Sequence, residues 1–262
     1  MADRRERKKR MIKTLKLADI PIRIETIFDL ILPTEEYDTE EEPVFTVQIT
    51  EQDILNERRK SILEAAYEGI ALPNYSPQEL ESTAVYRKIA AKLPELDAVV
   101  FHGSAVAVGE KAYLFTAKSG TGKTTHTNLW LKNIEGSYIV NGDKPILRLL
   151  DGKPTVCGTP WMGKEGCGCN KNVPLAAVCF LNRGTENRIE KTEFSMIYPR
   201  LIGQTYRPES GAMVAKTVRV LEKIGQSVPF YELFCNMEDE AAGVSCEGMT
   251  RSPSPRTAMP ST

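Results

Sequence analysis

The residues best suited to chemistry form a glycine-rich run, A-K-S-G-T-G-K-T, at Ala117 to Thr124. Its glycines let the backbone turn so that N–H groups point at phosphate oxygens, and a following helix adds the positive end of its dipole. Lys123 supplies a positive charge to the β- and γ-phosphates, and the hydroxyl of Thr124 is a ligand for Mg²⁺. The run therefore predicts a site for ATP and Mg²⁺; the alternative is a chance glycine-rich turn.

A strand and a helix must position this run. Ala112 to Thr116 has the pattern of a strand, and a helix is predicted from about Lys123 to Leu131. This strand–loop–helix order is the context that a phosphate-binding loop requires, although Ala117 stands where the usual motif has its first glycine. Val99 to Val108 predicts a second buried strand that pairs alongside the first.

A carboxylate follows the next strand along the chain. Asp143 comes directly after the predicted strand Ser137 to Asn141. If that strand is a parallel neighbour of the one entering the glycine run, Asp143 is placed to bind Mg²⁺ or to accept a proton from an attacking hydroxyl. The alternative is a turn residue, because Asn141-Gly142 is turn chemistry by itself.

The chain has two histidines. His102 falls within the predicted strand Val99 to Val108, and a lone histidine in an apolar strand is more often a core residue than a catalytic one. His126 falls in the first turn of the helix after the glycine run, where a polar surface position or a supporting role is expected.

Four basic residues are candidates for holding an anionic substrate group: Lys164, Lys171, Arg200 and Arg207. The two lysines lie on a long loop with four glycines, Gly158 to Asn172, and loops of this kind can close over a substrate. The alternative for the lysines is solvated charge on a mobile loop. The arginines flank a predicted helix end, where a phosphate clamp and a surface ion pair are equally good interpretations.

The composition of the chain limits the classes of partner that are expected. Lys and Arg (34) nearly balance Asp and Glu (35), so the chain lacks the positive field typical of nucleic-acid binding. No apolar run approaches the ~20 residues of a membrane-spanning helix. Six cysteines lie in the second half with no signal peptide before them, which favours reduced thiols in a cytoplasmic protein. Cys167 and Cys169, with Cys157, form only a weak zinc pattern.

The element pattern predicts an α/β protein with a mixed sheet and flanking helices. Alternating apolar residues in 12–50 predict strands, and Ser76-Pro77 with Glu79 predicts a helix start. We expect an N-terminal extension of strands and a helix over 1–95, packed on a catalytic domain over 96–250, and a disordered Ser/Pro-rich tail over 251–262. The last helix is predicted to begin at Met237, capped by Asn236.

The order H-G-S-A-V, S-G-T-G-K-T and N-G-D resembles the catalytic domain of HPr kinase/phosphorylase and its relatives in the phosphoenolpyruvate-carboxykinase-like nucleotide-binding superfamily. The ordered motifs lie within residues 99–182. The resemblance implies that P-loop fold, an active-site histidine at His102 and an acidic site at Asp143. It implies nucleotide and Mg²⁺ binding, with Mg²⁺ on Thr124 and Asp143, by the following residues: Ser119, Gly120, Thr121, Gly122, Lys123, Thr124 and Thr125.

The expected function is an ATP-dependent phosphotransferase that moves the γ-phosphoryl group of MgATP to a hydroxyl acceptor. The favoured acceptor is a seryl hydroxyl on a small molecule, peptide or protein. His102, Lys123 and Asp143 are the expected catalytic residues, and a homo-oligomer is conceivable. The family usually shows two successive acids where this chain has Gly142-Asp143. The single carboxylate of Asp143 therefore has to serve both metal binding and proton transfer, or His102 takes over part of these functions. The alternatives are a nucleotide-sensing module without turnover and a phosphorylase or pyrophosphate-linked enzyme.

Overall fold

The structure is a computed structural model that describes residues 10–250. Residues 1–9 and the predicted tail, 251–262, lie outside the described residues. The strands are β1 (Met11–Leu17), β2 (Ile20–Thr26), β3 (Phe45–Gln48), β4 (Ala98–Val100), β5 (Ser104–Val108), β6 (Lys111–Thr116), β7 (Ser137–Asn141), β8 (Ile146–Leu150), β9 (Lys153–Cys157), β10 (Asn172–Arg183), β11 (Arg188–Thr192) and β12 (Phe230–Cys235). The helices are α1 (Glu51–Glu68), α2 (Pro77–Lys92), α3 (Lys123–Asn133), α4 (Phe194–Gly203), α5 (Gly211–Ser227) and α6 (Glu240–Thr250).

A nine-stranded mixed sheet forms the centre of the molecule. Its order is β4-β8-β9-β10-β6-β5-β7, and β12 joins β10 to β11. The long strand β10 runs parallel to β6 and β12 but antiparallel to β9, while β5 runs antiparallel to both of its neighbours, β6 and β7. The predicted α/β class with a mixed sheet is confirmed.

Helices cover both faces of this sheet because successive strand residues point to opposite sides. On one face, Leu114 and Phe180 pack with apolar residues of α4 and α5. On the other face, Phe115 packs with Trp130 of α3, together with apolar residues of α6. The central strands are thus buried on both faces, which explains their nearly continuous apolar sequences.

The N-terminal residues form a small sheet, β1-β2-β3, packed with α1 and α2. One buried apolar cluster runs from this sheet into the nine-stranded sheet, since it contains Ile22 and Ile89 as well as Val100 and Ile146. The expected boundary near residue 95 therefore falls inside a continuous core.

The start of α2 follows its sequence signature. The Ser76 hydroxyl accepts from the backbone N–H of Glu79, and the Glu79 carboxylate accepts from the backbone N–H of Ser76 at 2.7 Å. This reciprocal pair satisfies two backbone donors that the helix itself leaves unbonded. The predicted helix start is confirmed.

Two predicted elements are wrong in detail. The strand expected over Val99 to Val108 is broken between β4 and β5, so His102 lies in the break and not within a strand. The last helix begins at Glu240 and not at Met237, because the Asn236 side chain accepts from the N–H of Glu238 in a separate turn. Within residues 10–250, no helix combines the length and the apolar character needed to cross a membrane.

Candidate active site

The glycine-rich run forms a loop, here called the glycine loop (117–124), between β6 and α3. Gly120 (φ +75°) and Gly122 (φ +117°) both take left-handed backbone conformations, which side chains rarely tolerate. The carbonyl of Gly122 accepts the first helical hydrogen bond, from the N–H of His126 at 2.9 Å. The loop therefore leads directly into the N-terminus of α3, where backbone N–H groups have no helical acceptor.

The ammonium of Lys123 folds back under the glycine loop and donates to the carbonyl of Ala117 at 3.2 Å. Burial lowers the pKa of Lys123, and the positive charge of Lys144 lowers it further, while Asp143 opposes both. In the part of the chain that the structure describes, no carboxylate forms an ion pair with this ammonium. A half-buried cation without a bonded carboxylate is suited to an anionic ligand.

A cavity of about 510 Å³ opens in front of the loop. Its volume lies within the range typical of small-molecule sites. The residues that line it include most of the predicted site: His102, Ser119, Lys123, Thr124, Asp143 and Lys164.

The sheet topology explains why these residues meet. The sequence-based expectation that the strand before Asp143 neighbours β6 is wrong, because β5 lies between β6 and β7. Since β5 is antiparallel to both, its beginning lies at the same edge as the ends of β6 and β7; Ser104 pairs with Phe115 and Ala105 with Asn141. His102, just before β5, is thereby placed between the glycine loop and Asp143.

Backbone hydrogen bonds fix His102 in the break between β4 and β5. Its N–H donates to the carbonyl of Gln204 at 2.7 Å, and its carbonyl accepts from the Thr116 hydroxyl at 2.9 Å. The imidazole Nε2 lies 3.5 Å from Oδ1 of Asp143. That distance is long for a hydrogen bond, but it allows both groups to contact one substrate hydroxyl.

The imidazole of His102 is biased toward its neutral form. Burial, followed by the positive charge of Lys123, lowers the pKa of His102, while Asp143 acts in the opposite direction. A neutral imidazole at pH 7 can accept a proton, which is the property required of a general base.

Asp143 is oriented by its neighbours in sequence. The buried side chain of Asn141 accepts from the N–H groups of Asp143 (2.9 Å) and Lys144 (2.7 Å), and it donates to Thr159. The Lys144 ammonium binds Oδ2 of Asp143 at 2.6 Å. Asn141-Gly142 does form a turn, as the alternative interpretation held, and that turn presents Asp143 to the cavity.

Gly142 is enclosed by the long loop that begins at Gly158. Its N–H donates to the carbonyl of Cys167 at 3.0 Å. A Cβ atom at this position would lie 2.9 Å from the carbonyl oxygen of Met162 and 3.1 Å from that of Cys167. Both contacts are to backbone, so the position before Asp143 cannot carry a carboxylate unless the loop moves.

The chain matches no protein-family model, and it matches no curated protein. Among solved structures, the Hpr(Ser) kinase/phosphatase from Coxiella burnetii is similar. The similarity covers 48% of this chain and 92% of that chain, with 10% sequence identity and a TM-score of 0.27. Because the sequence identity and the TM-score are this low, the function has to be argued from the residues of the site.

The two lysines of the long loop lie in different places. Lys164 lines the cavity. Lys171 instead places its ammonium 4.6 Å from the centre of the Tyr138 ring, and it is not among the residues that line the cavity. The loop is also bonded to the end of β7, where the N–H of Cys169 donates to the carbonyl of Val140 at 3.1 Å.

The two candidate arginines also lie outside the cavity lining. Arg200 binds Glu232 and stacks over the Phe180 ring, so its guanidinium already has partners. Arg207 is exposed.

Sequence reasoning missed Arg183, at the end of β10. Its guanidinium donates to the carbonyl of Gly120 at 2.6 Å, so it ties the glycine loop to the neighbouring strand. No motif contains this residue, because the contact arises only from the pairing of β10 with β6.

His126 is a core residue, so of the two expected roles, a polar surface position and a supporting role, the surface position is wrong. It is 2% exposed; its Nε2 lies 3.0 Å from the Ser245 hydroxyl, and its ring packs edge-on against Phe115. Burial lowers the pKa of His126 to about 4.

The thiols do not converge on a metal site. All six cysteines are free, and residues 10–250 contain no group of three or more His, Cys, Asp or Glu side chains arranged to hold a metal ion. Cys169 lies 3.5 Å from the carbonyl oxygen of Ile139, and burial raises its thiol pKa. The weak zinc pattern gains no support.

Proposed function

We propose that the glycine loop binds MgATP and that the chain transfers the γ-phosphoryl group to a hydroxyl acceptor, in a phosphoenolpyruvate-carboxykinase-like P-loop domain over 96–250. The observation that carries this proposal is the Lys123 ammonium, which is half-buried under the glycine loop without a carboxylate partner in the described chain. A triphosphate would supply the missing negative charge.

The site also suits Mg²⁺. Thr124 and Asp143 both line the cavity, and hydroxyl and carboxylate oxygens are the ligands that Mg²⁺ prefers. When bound, Mg²⁺ would neutralise part of the phosphate charge.

The proposed step is a direct displacement. The acceptor oxygen forms a bond to the γ-phosphorus, the bond from that phosphorus to the β–γ bridging oxygen breaks, and ADP leaves with the bridging oxygen. The acceptor proton passes to Nε2 of His102 or to Asp143, which face the same space. Lys123 stabilises negative charge on the transferring and leaving groups.

Binding and turnover are tested separately. Calorimetry with ATP and Mg²⁺ should show binding to the wild-type protein, and labelled ATP should then be offered with serine, small peptides and a whole-cell protein extract. Lys123→Ala should lower phosphotransfer about 100- to 1,000-fold without unfolding the protein. The matched control is Lys132→Ala, on the exposed side of α3, where the lysine pairs with Asp239. Absence of nucleotide binding at millimolar concentration would refute the proposal.

A second candidate is nucleotide binding without turnover. The observation in its favour is that the single carboxylate, Asp143, already pairs with Lys144, while Gly142 has no room for a second acid. ATP binding with no ADP formed, whichever acceptor is present, would favour this candidate.

A further inference from the structure

We propose that Lys144 is a positioning residue that serves Asp143 as a built-in cation. Its ammonium holds Oδ2, so that Oδ1 alone is offered to the cavity. This inference rests on the proposed function, since it concerns how that site works with one carboxylate.

The Lys144–Asp143 pair is short and sheltered. Nζ of Lys144 lies 2.6 Å from Oδ2 of Asp143, and the two side chains are 33% and 25% exposed. Charge-assisted hydrogen bonds of this length are the strong ones. With Oδ2 occupied, the other oxygen, Oδ1, is the one that faces His102.

The lysine is itself held in place. Its backbone N–H donates to Oδ1 of Asn141 at 2.7 Å and to the carbonyl oxygen of Trp161 at 3.2 Å. Its ammonium lies 5.9 Å from the centre of the Tyr86 ring. Tyr86 packs edge-on against Trp161 at 5.3 Å and Tyr206 at 5.9 Å. An aromatic cluster anchored in α2 thus supports the lysine.

The neighbouring glycine explains the need for this lysine. A pair of adjacent carboxylates can share a divalent ion, which neutralises both. Here the backbone oxygens of Met162 and Cys167 close the space at Gly142, so Asp143 has no such neighbour. A fixed ammonium supplies positive charge to this single carboxylate through Oδ2. It leaves Oδ1 for a ligand in the cavity, and it fixes the rotation of the carboxylate.

Kinetics with matched variants test the positioning role. Lys144→Met should lower kcat about 100-fold, because a misplaced catalytic group loses about that much, while the KM for ATP stays unchanged. Lys144→Arg should restore part of kcat. The control is Lys88→Met, whose lysine pairs with Asp53 at 2.7 Å with side chains 38% and 21% exposed, away from the cavity; it should leave kcat unchanged.

Mn²⁺ binding to the nucleotide-free protein tests the built-in cation without any turnover. Removing the ammonium frees Oδ2 of Asp143 and takes a positive charge away from the site, so Lys144→Met should bind Mn²⁺ roughly tenfold more tightly than the wild type. Lys88→Met should bind as the wild type does. Electron paramagnetic resonance of free Mn²⁺ during a titration gives the affinities.

The outcomes separate this inference from the proposed function. Wild-type kcat in Lys144→Met, or unchanged Mn²⁺ affinity in that variant, overturns the inference. Lys144→Met could instead lower kcat and the free energy of unfolding together, with no recovery in Lys144→Arg. That result would show that the lysine is only structural, and it also overturns the inference. If the wild type binds no nucleotide, the proposed function fails, and the Mn²⁺ titration still decides on the role of Lys144.

Discussion

His102 and Asp143 face each other at the edge of the central sheet, with Nε2 of the histidine 3.5 Å from Oδ1 of the aspartate. One residue precedes β5 and the other follows β7, and these strands are antiparallel neighbours. The contact is therefore a consequence of strand direction, and it places a proton acceptor on each side of the space in front of Lys123.

The pH dependence of turnover should report His102. Because burial lowers the pKa of His102 below its ordinary value of 6.5, the neutral imidazole prevails at pH 7 and remains the main form at pH 6.5. If this form accepts the proton, kcat should be flat near neutrality and fall only as the pH drops below 6.5. A pH profile of kcat from 5 to 8 measures this, and His102→Gln should lose the acidic limb. His126→Gln is the histidine control; an identical limb in wild type and His102→Gln would rule His102 out as the base.

Replacement of Asn141 should affect both stability and turnover. The side chain accepts two backbone hydrogen bonds and donates to Thr159 from a fully buried position. Asn141→Ala removes the acceptor of the Asp143 N–H and leaves the Lys144 N–H with the carbonyl of Trp161 alone. We therefore expect a loss of about 1–3 kcal/mol in the free energy of unfolding and a lower kcat, since Asp143 loses its support. Denaturant unfolding and single-turnover kinetics measure the two effects. A fully stable variant would show that water replaces the amide.

A second acid at position 142 should not raise the proposed phosphotransfer activity. Even Gly142→Ala should cost about 1–3 kcal/mol, because its Cβ meets two backbone oxygens, and Gly142→Asp should cost more while adding no activity. Gly243→Ala is the control: its Cβ meets nothing within 4 Å inside α6, so it should stabilise the helix by about 1 kcal/mol. Thermal unfolding compares the three. A stable, more active Gly142→Asp would contradict the enclosed position.

Acid should weaken the fold through His126. Its pKa is about 4 in the folded chain and about 6.5 when unfolded, so the unfolded state binds more protons as the pH falls below 6.5. The free energy of unfolding should therefore drop by about 2 kcal/mol between pH 7.5 and pH 5 from this residue alone. Denaturant titrations of wild type and His126→Gln at both pH values measure the difference. An equal pH dependence in the two proteins would assign the effect to other groups.

The sequence predicted those structural elements that depend on residues close together in the chain. The glycine loop, the helix after it and the Ser76 start of α2 depend on residues a few positions apart, and they appear where expected. The break at His102 has a distant cause: Phe101 donates to the carbonyl of Pro145 and His102 to that of Gln204, and neither partner is visible from the pattern of the strand.

The same limit applies to the site. His102, Lys123 and Asp143 were predicted from their motifs, and the structure brings them to one cavity. Arg183 and the Lys144–Tyr86 contact were missed because each joins segments far apart in sequence. Lys144 carried a weak signal, since it directly follows the predicted carboxylate.

The twelve-residue strand β10 has a consequence for how the protein is made. It pairs with β6 near the middle of the chain and with β12 near its end, so the central sheet cannot close until residue 235 has left the ribosome. Pairings between distant segments form slowly. A nascent chain that already contains the glycine loop, His102 and Asp143 would therefore still lack the strand that carries the Arg183 anchor, and the cavity should be complete only late in synthesis.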